Sequence, residues 1–181
     1  MFSLAYHDFK GEANAVLARL QIPYRCYHSI TSDGTGNCFF AAVLYLMQLP
    51  EIKQSLPVGF PEINNSHELR QFLISFIRDD IDLHNLEAFQ LQRHFLDRPF
   101  NDWLTNMARD GTWADDFAIF CLALFLRKDI KLATDQSTTA APWVNISATV
   151  AGSTFQSHGP QLLFVTWWAD ILSQLSTSEK Q

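Results

Sequence analysis

The chain has 181 residues, of which 48% are hydrophobic and 13% aromatic, so it can build one domain with a sizeable core and is not disordered. Its formal net charge of −6 argues against a nucleic-acid backbone or an anionic membrane as the main partner and favours a partner with a basic face. No stretch has the length to span a membrane, and the N-terminus lacks the pattern of a signal peptide.

The predicted elements are helices over most of the chain and strands near its end. Apolar residues repeat with helical spacing in six stretches, and apolar or alternating runs predict three strands. The predicted helices cover about 9–20, 39–49, 66–78, 86–96, 100–107 and 112–126, and the predicted strands cover 130–134, 143–146 and 162–166. This order indicates an α+β (α/β-like) domain with a small sheet, in which the last strand is central.

The helix at 66–78 has the clearest start signal. Asn65 is a good N-cap residue, and Glu68 completes a capping box. Acids at a helix C-terminus are unfavourable, so the helix is expected to end near Arg78, before three acids. These acids are expected to be solvated, with a basic partner as the alternative: Asp79, Asp80 and Asp82. The predicted core face of the helix is an apolar stripe: Leu69, Phe72, Leu73, Phe76 and Ile77.

A cysteine lies where a glycine-rich loop meets the apolar run at 39–49. Residues 33–36, Asp-Gly-Thr-Gly, have the composition of a tight turn whose glycines can adopt positive φ, and Cys38 follows closely. A helix N-terminus favours the thiolate through its dipole and its unpaired backbone N–H groups. Cys38 is therefore a candidate nucleophile, and a small core cysteine is the alternative. The loop residues are candidates for an oxyanion hole built from backbone amides: Gly34, Thr35, Gly36 and Asn37.

The three cysteines, Cys26, Cys38 and Cys121, are odd in number and lack metal-ligand spacing. We therefore expect no disulfide framework, no metal or other cofactor, and a reducing compartment. Cys121 lies on the predicted buried face of the helix at 112–126 and is expected to be a core residue.

Several blocks, in the same order, resemble the ovarian-tumour (OTU) family of cysteine peptidases, most of which are deubiquitinases. Gly-Asn-Cys-Phe-Phe-Ala-Ala-Val at 36–43 resembles the nucleophile motif, and His-Glu-Leu-Arg at 67–70 resembles a helix that members carry. A third block runs from Trp-Leu at 103–104 to Gly-Thr-Trp-Ala-Asp-Asp at 111–116. The resemblance covers about 22–175 of a single domain expected to span 1–181, with 176–181 as a mobile tail.

The resemblance implies an OTU-type, papain-like fold with a small central sheet flanked by helices. It implies a cysteine protease that hydrolyses (iso)peptide bonds at the ubiquitin C-terminus, with Cys38 as nucleophile and Asp170 as the acid two residues after a histidine. The implied partner is ubiquitin or a ubiquitin-like protein, without nucleic acid, membrane or cofactor. We expect a cytoplasmic monomer, or one in the host cytosol if the protein is viral or a secreted bacterial effector.

Two positions depart from the family pattern. Thr35 stands where the motif has an aspartate, and Asp33, two residues earlier, either does the same job or only caps the turn. Trp168 stands where the histidine is expected, two residues before Asp170. An indole N–H can only donate, so Trp168 cannot take a proton from a thiol, and neither the base nor the acid for the leaving amine is identified.

Three other histidines are fallback candidates for the base. His7 ends a short apolar run and is followed by an acid; it precedes the cysteine, as in circularly permuted family members, although a solvated terminus is the simpler interpretation. His28 lies ten residues before Cys38. His158 precedes the last strand and is expected at the opposite end of that strand from Trp168. The remaining histidines are expected to be surface or cap residues: His67, His84 and His94.

The five tryptophans are expected to be core anchors by default: Trp103, Trp113, Trp143, Trp167 and Trp168. Trp167 and Trp168 alternate faces on a strand, so one of them is predicted to line the channel that the resemblance implies for the C-terminal tail of ubiquitin.

Three hypotheses follow for the function. The first is an active isopeptidase of the ubiquitin system. The second is a catalytically degenerate OTU-like domain that binds ubiquitin or another protein without cleaving it. The third is a cysteine peptidase of this fold with a different protein substrate.

Overall fold

The computed structural model describes residues 4–5, 18, 36–133, 140 and 144–165. Among them, seven helices precede or flank one small sheet. The helices are α1 (Cys38–Met47), α2 (Pro50–Lys53), α3 (Ser66–Asp79), α4 (Ile81–His84), α5 (Glu87–His94), α6 (Phe100–Met107) and α7 (Asp116–Leu126). None of these helices is long and apolar enough to cross a membrane.

Four strands form the sheet in the spatial order β1-β4-β2-β3. They are β1 (Leu4–Ala5), β2 (Ile130–Ala133), β3 (Val144–Ile146) and β4 (Leu162–Val165). β1 and β2 both run parallel to β4, whereas β3 is antiparallel to β2. The prediction that the last strand is central is therefore confirmed for these residues.

Strand β1 corrects the expectation of a solvated terminus for Leu4 and Ala5. In the register of the sheet, Leu4 pairs with Leu163 and Ala5 with Phe164. A two-residue strand is too short to show an alternating pattern, so its pairing depends on β4, which lies far away in sequence. The predicted helix at 9–20 falls almost entirely outside the described residues and is not tested.

Helix α3 confirms its predicted start and corrects part of its predicted core face. The Asn65 side chain accepts a hydrogen bond from the Glu68 backbone N–H at 2.8 Å, and the Glu68 carboxylate accepts one from the Asn65 amide at 2.8 Å. Leu69, Leu73 and Ile77 are fully buried, but Phe72 is 39% exposed. The buried face of α3 is therefore rotated by about one residue from the predicted face, and it includes Arg70 and Ile74.

The acids after α3 have a local role that the sequence analysis missed. The Asp80 carboxylate accepts a hydrogen bond from the backbone N–H of Leu83 at 2.7 Å and so caps α4. Asp82 lies in the first turn of α4, where an acid suits the helix dipole. Asp80 and Asp82 therefore help to begin α4, and they do not only follow the end of α3.

Helix α7 is the centre of the hydrophobic core. It begins at Asp116, four residues after the predicted start at 112, so Asp115 is the N-cap residue and not a residue of the first turn, and its carboxylate accepts from the Ala118 backbone N–H at 2.9 Å. Eight of its eleven residues are buried, more than the single face predicted. The helix packs against α3 and α5 on one side and β3 on the other, which leaves little of its surface exposed. Cys121 is fully buried, as predicted.

Lys128 anchors the segment before β4 to the region after α2. Its side chain is fully buried, and its ammonium donates to the Ser55 carbonyl at 2.9 Å and to the Ser55 hydroxyl at 2.6 Å. The same ammonium donates to the backbone carbonyl of His158. Burial lowers the pKa of Lys128, and no carboxylate is paired with it among the described residues.

Candidate active site

Cys38 is the first residue of α1 and is half-buried. The sequence predicted that the thiol lies at a helix start, and the structure confirms it. Cys121 differs in both respects, because it is fully buried in the middle of α7 and burial raises the pKa of its thiol. Of these two cysteines, only Cys38 is placed as a nucleophile would need to be.

Asn37, the N-cap residue of α1, makes no side-chain cap hydrogen bond to its own helix. Its amide oxygen instead accepts from Arg70 at 2.7 Å and from the backbone N–H of Gly111 at 3.2 Å. Its amide nitrogen donates to the Asp110 carboxylate at 2.8 Å. Asn37 therefore ties the residue before Cys38 to two distant segments, and both ends of its amide are engaged.

Gly36 is required for close packing and not for positive φ. A Cβ at this position would collide with the carbonyl oxygen of Gly111 and would lie 2.6 Å from the carbonyl carbon of Thr112. Its φ is outside the left-handed region, which corrects the sequence-based reason for this glycine. The loop at 111–112 thus lies directly against the turn that precedes Cys38.

Arg70 joins the same segments from inside the protein. One terminal nitrogen of its guanidinium donates to the carbonyls of Gly36 at 3.1 Å and Thr112 at 2.7 Å, and to the Asn37 amide oxygen. The other terminal nitrogen donates to the Met107 carbonyl at 2.9 Å. Arg70 is fully buried, so these acceptors enclose it completely.

Three sequence blocks therefore meet in space. They are the residues before Cys38, the start of α3, and the loop between α6 and α7. The sequence analysis did not predict roles for Arg70, Asp110 or Gly111. An arginine inside an otherwise apolar helical stripe was the one signal available for Arg70, because such a side chain needs buried partners.

Asp110 lies at the surface of this cluster and links it to a histidine. The Nδ1 atom of His67 is 3.6 Å from the Asp110 carboxylate, and both side chains are more than half exposed. His67 is thus a surface residue, as predicted, separated from Cys38 by Asp110 and Asn37.

The other described histidines are engaged away from the nucleophile. A ring nitrogen of His84 is 2.8 Å from the Ile77 carbonyl, and His94 is an exposed residue at the end of α5. His158 is bonded to Lys128, which contacts Ser55 beyond the C-terminal end of α1 and α2. The backbone of His158 is therefore held at the segment that follows α2, whereas Cys38 is the first residue of α1.

Several candidate site residues fall outside the described residues. These are His7, His28, Asp33, Gly34, Thr35, Trp167, Trp168 and Asp170. Among the described residues, no group of three His, Cys, Asp or Glu side chains is arranged to hold a metal ion.

The two described tryptophans differ in burial. Trp103 is a core anchor as predicted, 2% exposed, and its indole N–H donates to the Asp115 carboxylate at 2.6 Å. Trp113 is 49% exposed, which corrects the default expectation for this residue. It directly follows Thr112, the residue whose carbonyl accepts from Arg70. An exposed indole therefore lies next to the segment that supports the nucleophile turn.

The chain matches one family model and is similar to several solved structures. A family model described as OTU-like cysteine protease matches residues 33–173. A comparison with curated proteins found no match. Among solved structures, the OTUD1 OTU domain is 18% identical with a TM-score of 0.42, covering 74% of this chain and 71% of that one. The viral OTU domain protease from Dera Ghazi Khan virus is 17% identical with a TM-score of 0.41, covering 72% of this chain and 78% of that one.

The family match spans most of the chain and includes all three converging blocks. The chain belongs to the OTU-like cysteine protease family. The predicted α+β architecture of this family is confirmed.

Proposed function

We propose that this protein is a deubiquitinase, which hydrolyses the peptide or isopeptide bond at the ubiquitin C-terminus with Cys38 as nucleophile. The observation that carries the proposal is the place of Cys38, half-buried at the first residue of α1 behind a turn held by Asn37 and Arg70. Membership of the OTU-like cysteine protease family supports a cysteine as the nucleophile.

The reaction follows from this placement. The Cys38 thiolate attacks the carbonyl carbon of the scissile bond, and the oxyanion forms near the backbone amides at the start of α1. The amine leaves with a proton from the general acid, and a thioester remains on Cys38. Water then attacks the thioester, which releases the ubiquitin carboxylate and restores the thiol.

The base in this mechanism is proposed to be His7. Strand β1 ends at Ala5, two residues before His7 in the sequence, and packs against α1, the helix that begins with Cys38. β1 also lies beside β4 and runs in the same direction. His7 therefore closely follows, in sequence, the strand that neighbours β4, and β4 is the strand after which the family pattern expects its histidine.

The register supports the same choice. Ala5 pairs with Phe164 in the parallel register of β1 and β4. In the sequence, His7 comes two residues after Ala5, and Trp168 comes four residues after Phe164. His7 would then supply the imidazole that Trp168 lacks. Asp170 and Asp33 are the candidate acids that orient it.

Activity is tested with ubiquitin that carries a C-terminal electrophile, added to the full chain. Labelling of the wild type that is lost in Cys38→Ala and kept in Cys121→Ala supports the proposal. The second variant is a matched control, because it removes the buried cysteine of α7. Binding of ubiquitin without labelling favours the degenerate, non-cleaving alternative. The absence of both labelling and binding favours a different protein substrate.

The base is tested by comparing alanine variants at the candidate histidines. His7→Ala is expected to lower kcat/KM by about 10²–10⁴-fold, the usual contribution of acid–base catalysis. It should also remove the acidic limb of the pH profile, whereas His28→Ala and His158→Ala should keep it. His94→Ala serves as a surface control. A His7→Ala variant with wild-type rates would contradict the assignment and leave Cys38 as the nucleophile unaffected.

A further inference from the structure

Arg70 lies in an unusual environment for an arginine. It is fully buried, yet no carboxylate among the described residues is hydrogen-bonded to it. Its acceptors are three backbone carbonyls and the amide oxygen of Asn37. Buried charges are normally paired with an opposite charge, because desolvation of an ion costs several kcal/mol. The hydrogen bonds of this positive charge therefore go to neutral groups, and the Asp110 carboxylate acts on it electrostatically without a direct hydrogen bond.

One face of the guanidinium is covered by an aromatic ring. The central carbon of the group lies 4.2 Å from the centroid of the Phe40 ring, within the range of a cation–π interaction. The buried Nε atom has no hydrogen-bond partner among the described residues. Phe40 belongs to the first turn of α1, so Arg70 contacts that helix on both sides of Cys38 in sequence, at 36–37 and at 40.

The charge of Arg70 acts on the thiol. Burial lowers the pKa of the guanidinium, while the Asp110 carboxylate and the Cys38 thiolate raise it. Electrostatic attraction is mutual, so the same pair favours the ionised form of Cys38. Asp110 acts against this effect, but it is exposed and is bonded to Asn37. Among the described residues, the ionisable groups around this cluster are Cys38, Arg70, Asp110 and, beyond Asp110, His67.

We propose that Arg70 is a positioning residue for the reaction at Cys38: it fixes the turn before the nucleophile to the 111–112 loop and stabilises the thiolate with a buried charge that no carboxylate of the described residues contacts directly. The proposal rests on the proposed function in that Cys38 is the nucleophile. In this role Arg70, near the start of α3, acts on the reaction through α1 and does not contact the substrate.

The test separates charge from structure with three substitutions at one position. Arg70→Lys keeps the charge and loses the two-pronged geometry, Arg70→Gln keeps a donor and loses the charge, and Arg70→Met loses both. Arg78→Met is the matched control, since Arg78 lies on the same helix, is exposed, and pairs only with Asp79 among the described residues. Circular dichroism and thermal unfolding define the folded fraction of each variant.

The first measurement is the rate of Cys38 alkylation by iodoacetamide as a function of pH, read by mass spectrometry at the Cys38 peptide. The neutral variants are expected to shift the midpoint upwards by about one pH unit, which lowers the thiolate fraction at neutral pH about tenfold. Arg70→Lys should keep most of the wild-type midpoint, and Arg78→Met all of it. A merely structural role would leave the midpoint of the folded variants unchanged.

The second measurement is the rate of labelling by the ubiquitin electrophile. Arg70→Lys is expected to lose labelling rate at an unchanged alkylation midpoint, because the thiol is ionised but its turn is displaced. A wild type that alkylates with a lowered midpoint but is never labelled would contradict deubiquitinase activity and leave the effect of Arg70 on the thiol standing.

Two results overturn the proposal about Arg70. One is a folded Arg70→Met or Arg70→Gln protein with the wild-type alkylation profile. The other is failure of both neutral variants to fold, which would make Arg70 a core residue with no separable effect on Cys38.

Discussion

A 2.7 Å hydrogen bond joins the guanidinium of Arg70 to the amide oxygen of Asn37, across 33 residues of sequence. The same oxygen accepts from the backbone N–H of Gly111. Asn37 therefore links the turn before Cys38 to the start of α3 and to the loop before α7.

Asn37→Ala is expected to lower the free energy of unfolding by about 1–3 kcal/mol, because the buried Arg70 loses one of its acceptors and the backbone N–H of Gly111 loses its acceptor. It should also slow Cys38 alkylation in the folded protein. Asp110→Ala is the comparison, and about 0.5 kcal/mol is expected because the Asp110 side chain is 63% exposed. Urea unfolding measures the free energy of unfolding of both variants. Equal losses of stability in the two variants would contradict the prediction that Asn37 contributes more than Asp110.

Gly36→Ala is expected to reduce both stability and the reactivity of Cys38. The added Cβ would collide with the Gly111 carbonyl, and forcing a methyl group into packed structure costs about 1–3 kcal/mol. The control is Gly59→Ala, at a positive-φ position with nothing within 4 Å of the new Cβ. That control should lower stability by about 1–2 kcal/mol through backbone strain and leave the alkylation rate of Cys38 unchanged. A normal alkylation rate in Gly36→Ala would show that the turn tolerates displacement.

Asp115 gives a prediction about pH. Burial raises the pKa of its carboxyl, although hydrogen bonds from Trp103 and Ala118 act in the opposite direction. Since the folded pKa lies above the unfolded one, the folded state prefers the protonated acid. Its contribution to stability is therefore greatest below the unfolded pKa and is lost as the pH rises through the folded pKa.

Asp115→Asn keeps an N-cap acceptor and removes this titration. The stability of the wild type relative to the asparagine variant should therefore fall as the pH is raised from about 4, the ordinary range of an aspartate. Asp115→Ala should cost about 1–2 kcal/mol at low pH through loss of the cap and of the Trp103 partner, and this cost should also fall as the pH is raised, because the alanine variant lacks the titrating group. Urea unfolding at a series of pH values decides the point, and a difference between wild type and Asp115→Asn that does not change with pH would refute it.

Lys128→Ala separates stability from catalysis. The substitution leaves the carbonyls of Ser55 and His158 without their donor, and a loss of about 1–3 kcal/mol is expected. The alkylation rate of Cys38 in the folded fraction should be unchanged, because this anchor lies beyond the C-terminal end of α1. Thermal unfolding and alkylation are measured on the same sample. A slower reaction at full folding would mean that the anchor acts on the site.

Local chemistry made much of the fold predictable. Asn65 caps its helix as predicted, because a cap hydrogen bond reaches only three residues along the chain. Leu69, Leu73 and Ile77 repeat at helical spacing and are buried. Two parts of the fold were not predicted correctly. Phe72 fits the apolar spacing of α3, but its side chain is exposed. Strand β1 has no alternating pattern in the sequence, because its place depends on pairing with β4.

The sequence by itself determined that Cys38 begins a helix, because a polar, glycine-containing loop followed by an uncharged apolar run is sufficient to specify a helix start. It also determined the family, through blocks that keep their order. Only the tertiary structure decided what holds the turn before Cys38. Asn37 bonds to Arg70, Asp110 and Gly111 instead of capping its own helix, and Gly36 is small because another backbone lies against it. The hydrogen bonds of Asn37 join residues separated by 33 to 74 positions, and no local pattern specifies which distant groups will meet.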